Sequence, residues 1–286
     1  MASQSRDGNN AGSSTPNTLP TRSDSSQIMH LAIQALERCL EELIDKDRSL
    51  NANKADEFLL RFLRFDRLDP KRAFRTLKLY YVNRHKERDL FRNLLPSQLG
   101  HVFLRNLMVL LPERDPSGRL VLVLRPGSWN PSQVPFLDVA RALLLCFEYA
   151  MRRSSAQLRG LCMIFDMDGW SYDHMTNVPA SRIKALSGVL AGYPIKNRRW
   201  DIVKQSYIFN VFFKMLTPFL DATALSKIHF HGWDLHKLHH RFPVKMLPEE
   251  LGGTRGPLSS AEFYERLRAK EASFAEEFRY GIATEE

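Results

Sequence analysis

Apolar residues recur along this chain with two different periods, and the switch between them divides it. From Gln27 the spacing is helical: Ile28, Leu31, Ala32, Ala35, Leu36, Cys39, Leu40 and Leu43 fall on one stripe, and "ADEFLLRFLRFD" follows. Asp69 then stands where a helix N-cap belongs, Pro70 takes the first helical position, and Ala73, Phe74, Leu77, Tyr80 and Tyr81 supply a buried face. These elements predict a small helical domain over residues 26–95. After "LLPSQLGHVFLRN" the pattern becomes short apolar runs, "LMVLLP", "RLVLVLRPG", "GLCMIFDMDG" and "WDIVKQSYIF", separated by helical stretches such as "FLDVARALLLCFEYAMRR" and "ASRIKALSGVLAG". Strand alternating with helix predicts an α/β domain with a largely parallel sheet over residues 96–256, its first two strands paired as a hairpin across "DPSGR". Residues 257–286 are expected to hold a last helix that packs back through Phe263, Leu267, Phe274 and Phe278. Residues 1–25, rich in Ser, Asn, Thr, Gly and Pro, have little to bury and are expected to form a disordered tail.

One stretch departs from the polar character of its surroundings. Phe209 to Leu220 reads "FNVFFKMLTPFL", with one charge among twelve residues. As a helix it places Phe209, Phe212, Phe213, Leu216 and Leu220 on one stripe and Val211 and Met215 on a second, so most of its circumference is apolar. Twelve helical residues rise only about 18 Å, against roughly 30 Å for a bilayer's hydrocarbon core, so the segment spans no membrane. It reads as a buried core helix or as a movable cover over an apolar cavity.

The 286 residues are 44% hydrophobic, enough for a sizeable core. The 41 Lys and Arg against 32 Asp and Glu leave a net charge of +9, which favours an anionic partner such as nucleic acid, a phospholipid surface or a phosphorylated ligand. A nucleic-acid binder would interleave aromatics with exposed cations; here the aromatics keep buried helical and strand periods, so no nucleic acid is expected. Cys39, Cys146 and Cys162 are too few and too scattered for a disulfide framework or a zinc knuckle, and read as reduced thiols of a cytoplasmic protein. The opening residues hold no apolar h-region, so neither a secretory leader nor an anchor is expected.

Catalytic motifs are sparse. "IFDMDGW" ends a strand with Asp166 and Asp168, like the D-x-D-G element of haloacid-dehalogenase-type phosphatases, but Trp170 follows Gly169 and the further acids, hydroxyl and lysine that such chemistry needs are not evident. His236 and His240 have the i, i+4 spacing of a zinc pair without the Glu of H-E-x-x-H. "LGGT" at 251–254 lacks the Gly-Lys-Ser/Thr of a P-loop. No enzyme activity, cofactor or metal is expected.

From "GYPIKNRRWDIVKQSYIFNVFFKMLTPFL" through "KIHFHG" to "MLPEELGGT", the chain resembles the CRAL-TRIO lipid-binding family, and most of all its α-tocopherol transfer protein-like branch. "FLLRFLRFD" and "DPKRAFRTLKLYY" are similar to that family's N-terminal helical domain, with "DPSGRLVLVLRPGSW" and "IFDMDGW" in order between. The resemblance implies a five-stranded, mostly parallel sheet, an apolar pocket for one lipid, and the Phe209–Leu220 stretch as its helical lid. It implies a monomer that carries a hydrophobic small molecule, tocopherol-like, retinoid-like or another lipid, between membranes, with phospholipid exchange as the alternative.

The expected lining is Leu143, Leu144, Phe147 and Phe165, then Ala185, Val189, Tyr193, Trp200 and Ile202, with Phe209, Phe212, Phe213, Leu216 and Leu220 from the lid. Lys196, Arg198 and Lys227 match positions that hold a phosphoinositide headgroup beside the lid in such relatives, which implies docking on endosomal or other phosphoinositide-bearing membranes; Arg199 is a further basic neighbour. Thr223 stands where a fourth basic residue occurs in those relatives. Ile195 replaces the Glu of phosphatidylinositol-transferring members, and Leu143 and Phe147 occupy the stretch where tocopherol binders place serines, which argues against either headgroup inside the pocket.

Overall fold

The computed structural model describes residues 22–220 and 222–283. The apolar runs of the second half become one sheet of five strands in sequential order: β1 (Met108–Arg114), β2 (Leu120–Leu124), β3 (Leu161–Asp166), β4 (Asn197–Val203) and β5 (Ile228–Gly232). β1 and β2 pair antiparallel and the remaining neighbours are parallel. The hairpin forms because Asp115 caps its own turn, accepting from the Ser117 and Arg119 backbone N–H groups, while Gly118 takes φ 77°. β2 is buried at every position, as a strand covered on both faces must be.

The helices that matter for the site are α1 (Arg22–Asp45), α2 (Asp56–Phe65), α3 (Pro70–Lys86), α4 (Phe136–Met151), α5 (Ala180–Ala191), α6 (Tyr207–Leu216), α7 (Ala261–Arg268) and α8 (Glu271–Glu277). Asp69 caps α3 by accepting from the Arg72 N–H, and Ala73, Leu77, Tyr80 and Tyr81 are buried. α1 starts at Arg22, inside the stretch expected to be a disordered tail; residues 1–21 of that expectation lie outside the described residues. Its contact line also differs: Leu40 and Ile44 are buried beside Glu37, whereas Leu31, Ala35 and Cys39 are exposed. Apolar residues occupy so much of this helix that α2 and α3, not the helix itself, select the buried stripe. The expected single last helix is two, α7 and α8, broken at Ala269 and Lys270; each half turns its own Phe, Phe263 or Phe274, fully inward.

Two buried polar clusters join the helical layer to the sheet domain. Arg61 of α2 donates bidentately to Glu277 of α8 at 3.2 and 2.9 Å, and Arg152, just past α4, meets the same carboxylate at 2.9 Å. Glu148 of α4, with 0% exposure, accepts from the Tyr80 hydroxyl at 2.9 Å and from the Tyr193 hydroxyl at 2.8 Å. Burial pushes the Glu148 carboxyl up from its ordinary 4.5, against a downward pull from Arg84, and burial likewise keeps both tyrosines protonated as donors.

An acid whose folded value is raised binds its proton more readily when folded. Its stabilising effect is therefore complete below the ordinary value and lost as pH rises through the folded one. The stability difference between the protein and a Glu148→Gln variant, which titrates nothing there, should shrink as pH rises above 4.5, with a slope of at most about 1.4 kcal/mol per pH unit. Urea unfolding across that range measures it; a difference constant in pH would contradict it.

Candidate functional site

Alternation along the strands puts Met163 and Phe165 of β3 and Trp200 and Ile202 of β4 on one sheet face, and that face floors a cavity of about 220 Å³. One buried water needs only about 10–15 Å³ on a comparable measure, so this space suits a guest. α4 contributes Phe136, Val139, Ala140 and Leu143, and α5 contributes Ile183, Leu186, Ser187 and Leu190, each set a single helical stripe. The roof is Phe209, Phe212, Phe213 and Leu216 of α6 with Leu220 just beyond it. Arg125, Trp129, Met167 and Trp170, past the C-terminal ends of β2 and β3, close the remaining end.

The roof helix has two apolar faces. Phe209, Phe212 and Leu216 are buried, while Tyr207 is 81% and Met215 61% exposed, with Ile208 and Val211 between. Ser206 caps it by accepting from the Phe209 N–H at 3.3 Å, and Pro218 blocks its continuation past Leu216. At its entry Lys204 takes φ 54°, the Lys204 N–H donates to the Gly232 carbonyl, and the Gly232 N–H donates to Gln205 Oε1 at 3.1 Å. The chain thus turns sharply at the end of β4 and is held to β5, which sets the lid over the cavity.

Two glycines build the closed end. Gly169 has φ 88°, and a Cβ on Gly127 would lie 2.0 Å from the Asp168 carbonyl oxygen, so only glycine lets the exits of β2 and β3 touch. That contact brings Trp129 and Trp170 against His174, at ring separations of 5.9 and 5.0 Å. The Ser171 N–H donates to His174 Nδ1 and the Trp129 carbonyl accepts from Nε2 at 2.7 Å, a pairing only the neutral Nε2–H ring can make.

Leu143, Phe165, Trp200, Ile202, Phe209, Phe212, Phe213, Leu216 and Leu220 thus come together around the cavity. Leu144, Phe147, Ala185, Val189 and Tyr193 do not line it. Ala185 and Val189 lie one step round α5 from the lining stripe, because that helix has two apolar faces and only packing chooses between them. Phe147 and Tyr193 sit ring to ring at 5.6 Å, and Tyr193 abuts Tyr80 at 5.6 Å, so they fill the seam beneath the helical layer. Leu144 is fully buried and, although it neighbours Ala140 on α4, does not reach the cavity. Sequence reasoning missed Trp129, Trp170 and the 183/186/187/190 stripe of α5. A signal existed for the tryptophans, since "RPGSW" and "DMDGW" both place Gly then Trp just after an apolar strand.

Lys196 immediately precedes β4 and Lys227 immediately precedes β5, so both stand at the N-terminal edge of the sheet where the lid returns. The two strands are tied there by the Trp200 N–H donating to the Lys227 carbonyl at 2.9 Å. Neither lysine forms an ion pair among the described residues, and the Arg198 side chain lies outside them. Arg199 points to the opposite sheet face, where it is buried against Asp201 at 2.7 Å beside His231, so it is no free basic neighbour.

The motifs weighed for chemistry fall elsewhere. Asp166 is buried between Lys204 at 3.4 Å and Arg125 at 3.8 Å. Burial raises its carboxyl from the ordinary range and the two cations oppose that rise. His239 Nε2 meets the Leu251 carbonyl at 2.9 Å, and no group of three or more His, Cys, Asp or Glu among the described residues is placed to hold a metal ion. Cys146 and Cys162 are buried free thiols, the latter pushed up to about 11 by burial. No helix among the described residues is long and apolar enough to cross a membrane.

A mostly parallel sheet flooring an apolar cavity beneath a helical lid is the architecture of a lipid-binding domain, and comparison with known proteins agrees. Residues 104–253 match the CRAL/TRIO domain. The chain is 33% identical to human alpha-tocopherol transfer protein-like over 84% of its length and 71% of that protein, and 30% identical to Xenopus laevis clavesin-1 over 71% of its length and 62% of that protein. The solved structure of Sfh5 shares the fold, with a TM-score of 0.52 at 14% identity, covering 87% of this chain and 96% of Sfh5. The chain belongs to the CRAL/TRIO domain family.

Proposed function

We propose that this protein is a lipid carrier, holding one hydrophobic small molecule in the cavity and releasing it at membranes without covalent chemistry. The observation that carries this reading is an apolar cavity roofed by a helix whose two faces are both apolar. In water the Phe209, Phe212 and Leu216 face seals the guest; at a bilayer the exposed Tyr207, Ile208, Val211 and Met215 face meets the headgroup boundary and stabilises an open lid. Burying roughly 400 Å² of lid surface at about 25 cal/mol per Å² contributes on the order of 10 kcal/mol, so opening in water is rare. The carrier works as a monomer in the cytoplasm with no cofactor beyond its cargo, and visits endosomal or other phosphoinositide-bearing membranes.

Lys196 and Lys227, joined by Arg198, form the edge that engages phosphoinositide headgroups, where each cation adds charge-assisted bonds to phosphate. Transfer of fluorescent lipid between phosphatidylcholine vesicles tests the carrier reading: addition of the protein should accelerate it, and an unchanged rate would contradict it. Lys196→Ala with Lys227→Ala should weaken binding to vesicles containing phosphatidylinositol bisphosphate by about thirtyfold, at about 1 kcal/mol per cation, with a smaller salt dependence. Equal binding by the double variant in a sedimentation assay would remove the headgroup assignment.

A further inference from the structure

The cavity wall offers a guest almost no hydrogen-bonding group. Among the described residues that line it, Ser187 has the one hydroxyl and Arg125 the one charge, and none is Tyr, His, Asn, Gln, Asp or Glu. The lining tryptophans do not change this. The Trp129 indole donates to the Val134 carbonyl at 2.8 Å, and the indole nitrogens of Trp170 and Trp200 are buried in the packing behind the wall, so none of the three presents a donor to the cavity. Nor does the main chain of the floor and helical walls, whose N–H and C=O groups are used in the sheet ladder and the helical turns.

Each kind of polar head is therefore disfavoured. Arg125 belongs to a cluster in which it and Lys204 face Asp166, Asp168 and Glu250, at separations between 3.4 and 3.8 Å. Three carboxylates already outnumber two cations there, so an anionic head gains no partner and loses its hydration. A cationic head meets Arg125 first, because none of the carboxylates lines the cavity. A neutral alcohol brings one donor and two acceptor sites, of which the single Ser187 hydroxyl can satisfy only part.

We propose, building on the carrier reading, that the cargo is a lipid of the hydrocarbon class, an alkane-like or isoprenoid chain with no hydrogen-bonding head. Val139, Leu143 and Phe165 all line the cavity and are only half-buried, so apolar surface is left for the guest to cover. A space walled in this way excludes water, which would find too few partners, and accepts apolar guests. Such a chain has no head to hold it at the bilayer surface and dissolves among the acyl chains. Its collection suits a lid whose outer face carries Ile208, Val211 and Met215 into the boundary of that layer.

Hexadecane and hexadecan-1-ol differ by one hydroxyl and form the probe pair. The full chain is incubated with phosphatidylcholine vesicles containing both at equal mole fraction and re-isolated, and its bound guests are quantified by gas chromatography with mass spectrometry. The alkane should be enriched about tenfold over the alcohol, because the alcohol leaves its hydration for a wall that cannot replace it. Leu143→Ser, which adds a second hydroxyl to the wall, should bring the ratio to within about threefold of unity. Equal or preferential uptake of the alcohol by the unaltered protein would overturn the inference and leave the carrier reading standing. An alkane preference unchanged by Leu143→Ser would place the discrimination in the vesicles rather than the wall, and would overturn it too. Uptake of neither probe would overturn both readings.

Discussion

Phe212→Asp is expected to lower the amount of lipid retained in water by about a hundredfold, some 2.7 kcal/mol, because it sets an unpaired carboxylate in the roof of an apolar cavity. Phe212 is 6% exposed and rests on Trp170 and Phe209, with no cation of the roof helix on its buried face. The helix is anchored at Ser206 and stopped at Pro218, so the relief available to the charge is to swing outward, and an open lid no longer seals the guest. Met215→Asp, on the exposed face, should spare retention in water and slow delivery to vesicles. Retention by gel filtration with lipid extraction separates the two; full retention by Phe212→Asp would show that the inner face does not seal the cavity.

Glu277→Ala should cost about 3–5 kcal/mol of folding stability, the usual result of leaving buried cations without their carboxylate. Arg61 and Arg152 both converge on Glu277, with side chains only 7% and 14% exposed, so neither can turn to water without disturbing its element. Arg152 also lies 4.1 Å over the Phe274 ring, so the loss propagates into α8. Glu276→Ala, whose side chain is 58% exposed, should stay within about 0.5 kcal/mol. Urea unfolding of both variants checks the contrast, and equal stability would mean that the clasp contributes nothing.

The alternating runs made the sheet legible, and "DPSGR" made its one antiparallel pair legible, because period-two burial and turn chemistry are local. The lid was equally plain: a polar surround makes a helix with two apolar stripes stand out. Helical phase was harder to read. On α1 and α5 apolar residues cover more than one stripe, so Leu31 and Val189 seemed as good as Ile44 and Leu186 until packing chose. Glu148 and Glu277 were invisible for a different reason, since a buried acid is marked by partners about 45 to 216 residues away, Tyr193 and Arg61 among them.

Native mass spectrometry of protein purified gently from its own cells tests the central claim most directly. The carrier reading predicts a population one lipid mass above the bare chain, released by organic solvent and depleted in Phe212→Asp. Bare chain alone, with nothing recovered by extraction, would mean that the cavity beneath Phe212 houses no guest.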